Sequence, residues 1–166
     1  MYRKLVNPLS DNYNSLKDLV LSDQFPWYWQ KQEEDGVTPG FYHHSILSRP
    51  EKELVSIVQS QHFDLVRDYV KEIIELNQLN TNYILRMSLN CTHNQNILTA
   101  PHVDHRFDHA NMIVYLTEAG GDTVINNISF SPAEDDVICF NGVTHYQNLS
   151  QIKGRRVVLV ITLDCL

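Results

Sequence analysis

The chain has 166 residues, 43% of them hydrophobic and 20% charged, which is enough apolar material for one compact core and too much for wholesale disorder. Thirteen Lys plus Arg against twenty Asp plus Glu give a net charge of −7 with the basic residues scattered, which disfavours nucleic acid as a partner. No apolar run approaches the roughly 18 residues of a membrane span, and Met1–Ser10 lacks a signal peptide's apolar stretch. The expectation is a cytoplasmic protein with no membrane association.

In chain order, Asn14–Leu21 reads as a short helix, and Phe25-Pro26-Trp27-Tyr28-Trp29 as an aromatic block that belongs to the core more readily than to a ligand platform. A polar segment, Gln30–Gly40, follows. Leu54, Ile57, Val58, Leu65, Tyr69 and Ile73 fall at helical spacing, with Glu51 and Glu53 placed where a helix dipole favours them, so one or two amphipathic helices are predicted over 51–77. After Asn80 the pattern changes to short β-rich runs at Tyr83–Cys91, Asn111–Leu116, Thr123–Phe130, Val137–Phe140 and Arg156–Leu163, separated by Gly, Asn, Asp and Pro. With no repeat and no linker composition, the whole chain, 1–166, reads as a single domain. The expected fold is mainly β, a double-stranded β-helix or jelly roll, with residues 1–80 as mostly helical support and 81–166 as a β-rich catalytic core.

Cys91, Cys139 and Cys165 are odd in number and show no CxxC spacing, so reduced, buried thiols are expected, not a disulfide framework or a structural zinc site. The histidines carry more information. Composition alone predicts fewer than one His-x-Asp tripeptide, and the chain holds two, so a match by itself decides nothing. His62-Phe63-Asp64 lies in the predicted helix, where residues two apart diverge by about 200° and cannot share an ion. His102-Val103-Asp104 lies in extended sequence, where residues two apart project to one face and can chelate. His145 follows the strand-like Val137–Phe140 and its Asn141-Gly142 turn, and hairpins between would return it beside His102 and Asp104. Two imidazoles and one carboxylate leave coordination positions open, which suits Fe(II) and oxygen activation. His105 and His109 lack the parity of that pair. His43, His44 and His93 are more economically read as core or surface residues.

Arg156 opens the apolar run Val157–Ile161. A guanidinium there is costly to bury unless an anion meets it, and its planar fork pairs bidentately with a carboxylate. Arg155 fits a solvated turn. In the preceding β-rich run, Arg86, Ser88 and Asn90 share one face and form a polar inner wall.

The order His102-x-Asp104, then Asn111–Leu116 with Tyr115, then Gly120-Gly121-Asp122-Thr123, then Asp136–Phe140, then His145, then Gly154-x-Arg156 resembles the 2-oxoglutarate/Fe(II)-dependent dioxygenases, nearest to their prolyl 4-hydroxylase-like branch. The likeness covers about residues 82–164. It implies His102, Asp104 and His145 as iron ligands, Arg156 as the partner of the distal carboxylate of 2-oxoglutarate, and Tyr115 as a further cosubstrate contact. O2 would be the oxidant, with succinate and CO2 released and a peptide, amino-acid or small-molecule C–H hydroxylated. Relatives often carry a tyrosine before the His-x-Asp motif. This chain reads Arg86–Thr92 there, so Arg86 and Asn90 stand in as cosubstrate contacts. Two rival readings remain at this level: a non-catalytic jelly roll that binds a ligand or a protein, and a cupin-type metalloenzyme without 2-oxoglutarate.

Overall fold

The computed structural model describes residues 1–31, 40–49 and 55–164. Eleven strands and two α-helices follow one another along these residues: β1 (Arg3–Leu5), α1 (Asp11–Leu21), β2 (Tyr28–Gln30), β3 (Phe41–Ser48), β4 (Ile57–Val58), α2 (Phe63–Leu76), β5 (Ile84–His93), β6 (Ala110–Tyr115), β7 (Thr123–Ile125), β8 (Ile128–Phe130), β9 (Val137–Asn141), β10 (His145–Gln147) and β11 (Arg155–Leu163). Eight strands form one antiparallel sheet in the order β1-β9-β6-β11-β5-β3-β2, with β4 on β3. The others form a small sheet, β10-β7-β8. Isolated bridges Leu98↔Asn148 and His102↔His145 lay residues 98–102 along β10 and extend the small sheet by a fourth, irregular strand. Two facing antiparallel sheets of this kind make a jelly roll, the expected architecture.

Both helices lie on the outer face of the large sheet. Ser10 caps α1 by accepting from the Tyr13 amide, and the apolar positions Tyr13, Leu16 and Val20 fall on one stripe. Val66, Tyr69, Val70 and Ile73 do the same for α2. They pack with Met87, Leu89 and Cys91 of β5 and Val157, Leu159 and Ile161 of β11 in the main core. A second apolar cluster, Ile113, Tyr115, Ile125, Phe130, Ile138, Phe140 and Val158, fills one half of the space between the sheets. The other half is left for polar residues.

Several expectations need correction. The first 80 residues are not only helical support, because they also contribute four strands, and β3 is a direct neighbour of β5. The helix expected over 51–77 begins only at Phe63. Ile57 and Val58 instead pair with Ser48 and Leu47, since two adjacent β-branched residues suit a sheet edge better than a helix turn. Residues 51–54 of that expected helix lie outside the described residues, as does most of the polar segment 30–40. The aromatic block divides: Phe25 is buried, whereas Tyr28 and Trp29 are exposed on β2. The run Thr123–Phe130 is a hairpin of β7 and β8, turned by Asn126 and Asn127 at positive φ.

Cys91 and Cys139 are free and buried, and burial pushes their thiols up to about 11 and about 12, the inert state expected of structural cysteines. Cys165 lies outside the described residues. Among the described residues, no helix is long and apolar enough to cross a membrane.

Candidate active site

Strand alternation decides which side chains enter the space between the sheets. In the register of β11 with β5, Arg156 faces Thr92, Val158 faces Asn90, Val160 faces Ser88 and Thr162 faces Arg86. These residues point inward, while Val157, Leu159 and Ile161 point to the helices. Arg156 is 2% exposed, and its neighbour Arg155 sits outside, donating to the Leu21 carbonyl at 3.2 Å. The sequence argument that only one of the two arginines enters the barrel therefore holds, and it selects Arg156.

A cavity of about 460 Å³ opens between the sheets, with His102, Asp104, Arg156, Asn90 and Arg86 on its wall. His102 and His145 are held side by side by a reciprocal pair of backbone hydrogen bonds, His102 N to His145 O at 3.0 Å and His145 N to His102 O at 2.9 Å. Asp104 lies between the rings, with Oδ1 at 3.6 Å from His102 Nε2 and Oδ2 at 3.7 Å from His145 Nε2. One ligand atom from each residue lies within 4.8 Å of the other two, and this is the one such group of at least three His, Cys, Asp or Glu among the described residues. Each imidazole Nδ1 is 3.0 Å from a backbone carbonyl, Ala100 O for His102 and Val143 O for His145. An Nδ1–H donated there fixes the tautomer and turns the Nε2 lone pair towards the shared point, the arrangement a metal-binding histidine needs.

Electrostatics agree with that geometry. Burial alone would raise the pKa of Asp104, but the contact with His102 and the charges of His145 and Arg86 outweigh it and hold the carboxyl well below its ordinary value. Burial keeps His145 below the usual histidine range against the pull of Asp104. A neutral imidazole beside an ionised carboxylate is the ligating state. Two His and one carboxylate fit a divalent cation with coordination positions left for other ligands, and a closed structural zinc shell would need a fourth.

At the other end of the cavity, Arg156 donates from Nη1 to Gln147 Oε1 at 2.7 Å and from Nη2 to Thr123 Oγ1 at 2.9 Å. Its guanidinium sits 5.2 Å from the centre of the Tyr115 ring. Arg156 Nε is buried with no hydrogen-bond partner, and among the described residues no carboxylate pairs with the guanidinium. Burial pushes its pKa down, opposed by Tyr115 and, from further off, Asp122. A cation held by neutral acceptors with a donor to spare is costly on its own and fits an incoming carboxylate.

The remaining expected residues fall in different places. Asn90 lines the cavity, its Oδ1 at 2.8 Å from His43 Nδ1, which leaves its amide N–H groups for a ligand. Tyr115 is 1% exposed and stands behind Arg156 instead of on the wall, with its hydroxyl 2.8 Å from Thr123 Oγ1. Arg86 also lines the cavity, six residues from the level of Arg156 along the paired strands, or about 20 Å between Cα positions. His105 reaches Thr162 Oγ1 at 3.4 Å, and the His109 ring fills the space over Gly142, where a Cβ would fall 2.4 Å from it. Asp64 pairs with Arg67 on the surface of α2, while the His62 ring packs at a tilt against Phe25 and His44. Gln147 and Thr123 went unassigned in the sequence. Gln147 shares the strand parity of His145, and that signal was available. Thr123 becomes its partner only through the pairing of β10 with β7.

No protein-family model and no curated protein matches the sequence. Solved structures do. An oxidoreductase of the 2OG-Fe(II) oxygenase family from Burkholderia pseudomallei superposes with a TM-score of 0.64 over 84% of this chain and 73% of its own, at 14% identity. The fold is that of the 2-oxoglutarate/Fe(II) oxygenases. A prolyl hydroxylase from Trichoplax adhaerens, solved with a peptide fragment of the hypoxia inducible factor oxygen degradation domain, gives 0.64 over 98% of this chain and 83% of its own, at 11% identity. The epimerase SnoN, in complex with Fe3+, alpha ketoglutarate and nogalamycin RO, gives 0.65 over 99% and 78%, at 12% identity.

Proposed function

We propose that the protein is an Fe(II)- and 2-oxoglutarate-dependent oxygenase that hydroxylates a C–H bond of a small molecule, amino acid or peptide. The observation that carries this reading is the buried, acid-free guanidinium of Arg156 in the same cavity as the His102, Asp104 and His145 group. A non-catalytic jelly roll has no use for that cation, and a cupin-type metalloenzyme without the cosubstrate leaves it without an anion.

His102, Asp104 and His145 would hold Fe(II). Arg156 would hold the distal carboxylate of 2-oxoglutarate, completing its hydrogen bonds through Nε, and Asn90 would donate to the cosubstrate from the wall. With the metal and 2-oxoglutarate bound, O2 oxidises the cosubstrate to succinate and CO2 and delivers one oxygen atom to the substrate. The chain's own contribution is positional. Tyr115 and Thr123 act as positioning residues, fixing the guanidinium from behind and from the side, while the two backbone carbonyls hold the imidazole tautomers. The apolar half of the barrel closes one flank of the cavity against water. Net charge −7 weighs against a phosphate backbone as substrate.

Anaerobic addition of Fe(II) and 2-oxoglutarate tests the reading. A weak visible charge-transfer band should appear with the wild-type protein and be lost in His145→Ala, whose circular dichroism should stay native. Absence of the band in wild type, or its retention at full intensity in His145→Ala, overturns the assignment.

A further inference from the structure

The cavity holds a second arginine that the cosubstrate does not account for. Arg86 and Arg156 are both inward-facing cavity residues, but they stand six residues apart along the paired strands, Arg156 opposite Thr92 and Arg86 opposite Thr162. Arg156 is tied to Gln147 and Thr123, whereas Arg86 is felt by Asp104 and His43. A diacid that reaches from Arg156 to the triad is used up before it arrives at Arg86. Half-buried, Arg86 makes no hydrogen bond and no ion pair within 4.0 Å among the described residues.

Its surroundings are built for a ligand and not for solvent. Across the strand pairings, Arg86 lies on the same inner face as Ser88, whose hydroxyl is fully buried with no partner. On that face, β6 contributes Asn111, opposite Thr162, and the Asn111 side-chain amide is buried with neither its donor nor its acceptor satisfied. Unmet polar groups of this kind are rare in folded interiors, and these two lie beneath the cavity wall on the face that carries Arg86. The acid that faces Arg86 is Asp104, which the proposed reading commits to a divalent cation, so among the described residues no free acid pairs with the guanidinium. The planar fork is matched by a carboxylate. A cavity of about 460 Å³, shared with a five-carbon cosubstrate, has room for a small molecule.

We infer that Arg86 is a specificity-determining residue that binds a carboxylate on the primary substrate, making that substrate a small organic acid such as a free amino acid. This rests on the functional reading above and takes Arg86 from the cosubstrate to the substrate. The substrate C–H is then held between its own carboxylate at Arg86 and the metal group.

Calorimetry on protein loaded with Mn(II), which binds without turnover, tests it. The probes are free L-amino acids and three- to eight-carbon carboxylic acids with 2-oxoglutarate present, their carboxamides, N-acetyl glutamate amide as a side-chain carboxylate, and 2-oxoglutarate alone. At least one free acid should bind the wild type, with its carboxamide at least about 10-fold weaker, since a charge-assisted pair is lost. Arg86→Gln should weaken that acid by about 10- to 100-fold and leave 2-oxoglutarate within a factor of two, and Arg86→Lys should restore part of the loss. Thermal melts of both variants check the fold. Loss of 2-oxoglutarate binding in Arg86→Gln as large as in Arg156→Gln overturns the inference, as do equal affinities for acid and carboxamide, binding of none of the acids, or preference for the side-chain carboxylate. Failure of wild type to bind 2-oxoglutarate overturns the functional reading instead, and an acid lost on Arg86→Gln would still support the assignment of Arg86.

Discussion

The two faces of the large sheet are made by the same strands and obey opposite rules. On the outer face Met87, Leu89, Val157, Leu159 and Ile161 are fully buried against the helices. On the inner face, one residue away along each strand, the Ser88 hydroxyl, the Thr92 hydroxyl, the Asn111 amide and Arg156 Nε are buried without partners. The contrast teaches that stability is concentrated on one face, while the other carries unmet polar groups that cost stability.

Adjacent residues offer the sharpest way to break that comparison. Leu89→Ala removes fully buried methyl groups and should cost about 2–5 kcal/mol in denaturant unfolding. Ser88→Ala, on the opposite face, removes an unsatisfied hydroxyl and should unfold at the wild-type midpoint or slightly above it. A large loss from Ser88→Ala would mean that the inner face is load-supporting after all.

The next effect is on binding. Arg156→Ala should raise the apparent KM for 2-oxoglutarate by about 10- to 100-fold with little change in melting temperature, whereas Arg155→Ala should leave it nearly unchanged. Reversed behaviour would place Arg155, Val157 and Leu159 inward, against the observed register.

Away from the cavity, a polar cluster ties α1 to the loop before β9. Asp135 accepts from the Tyr13 hydroxyl and from Lys17, the latter at 2.7 Å. Burial would raise the pKa of Asp135, but the Lys17 and Tyr13 hydrogen bonds prevail and lower it. A carboxyl lowered in the native state stabilises the fold above its unfolded value near 3.8 and loses that contribution as pH falls through the native one. Asp135 has φ of 68°, which Asn tolerates, so Asp135→Asn isolates the charge. Wild type should melt above the variant at neutral pH, and the two curves should converge in acid. A gap that widens in acid would reverse the sign.

The smallest expected effect belongs to the other His-x-Asp motif. Replacing His62 and Asp64 together by Ala should change stability modestly and metal content not at all, because Asp64 faces Arg67 and His62 faces an aromatic stack. Metal loss with an intact fold would overturn the distinction between helix and strand.

Part of the site was legible from local parity. Arg156 against Arg155 follows from the two-residue repeat of β11, whereas His102 and Asp104 come together with Asp104 at a bend just after the isolated His102 bridge and not within a strand. The strand β3 was not legible, because Phe41–Ser48 mixes polar and apolar residues on both faces and its pairing slips between Ser45 and Leu47. Ile57 and Val58 fitted a helical stripe until pairing with β3 claimed them. Tyr115 was placed on the right strand and face, but its concealment behind Arg156 depends on side chains from three strands.

The sequence by itself supplied the chemical groups, two imidazoles, one carboxylate and a guanidinium, and strand alternation set Arg156 on the inner face of β11. Only the tertiary structure decided that His145 returns to pair with His102, that Gln147 and Thr123 brace Arg156, and that Arg156 Nε and the Arg86 guanidinium have no partner among the described residues. Those outcomes depend on the closure of long chain segments between strands distant in sequence, where the net of many weak contacts, and no local preference, fixes the pairing.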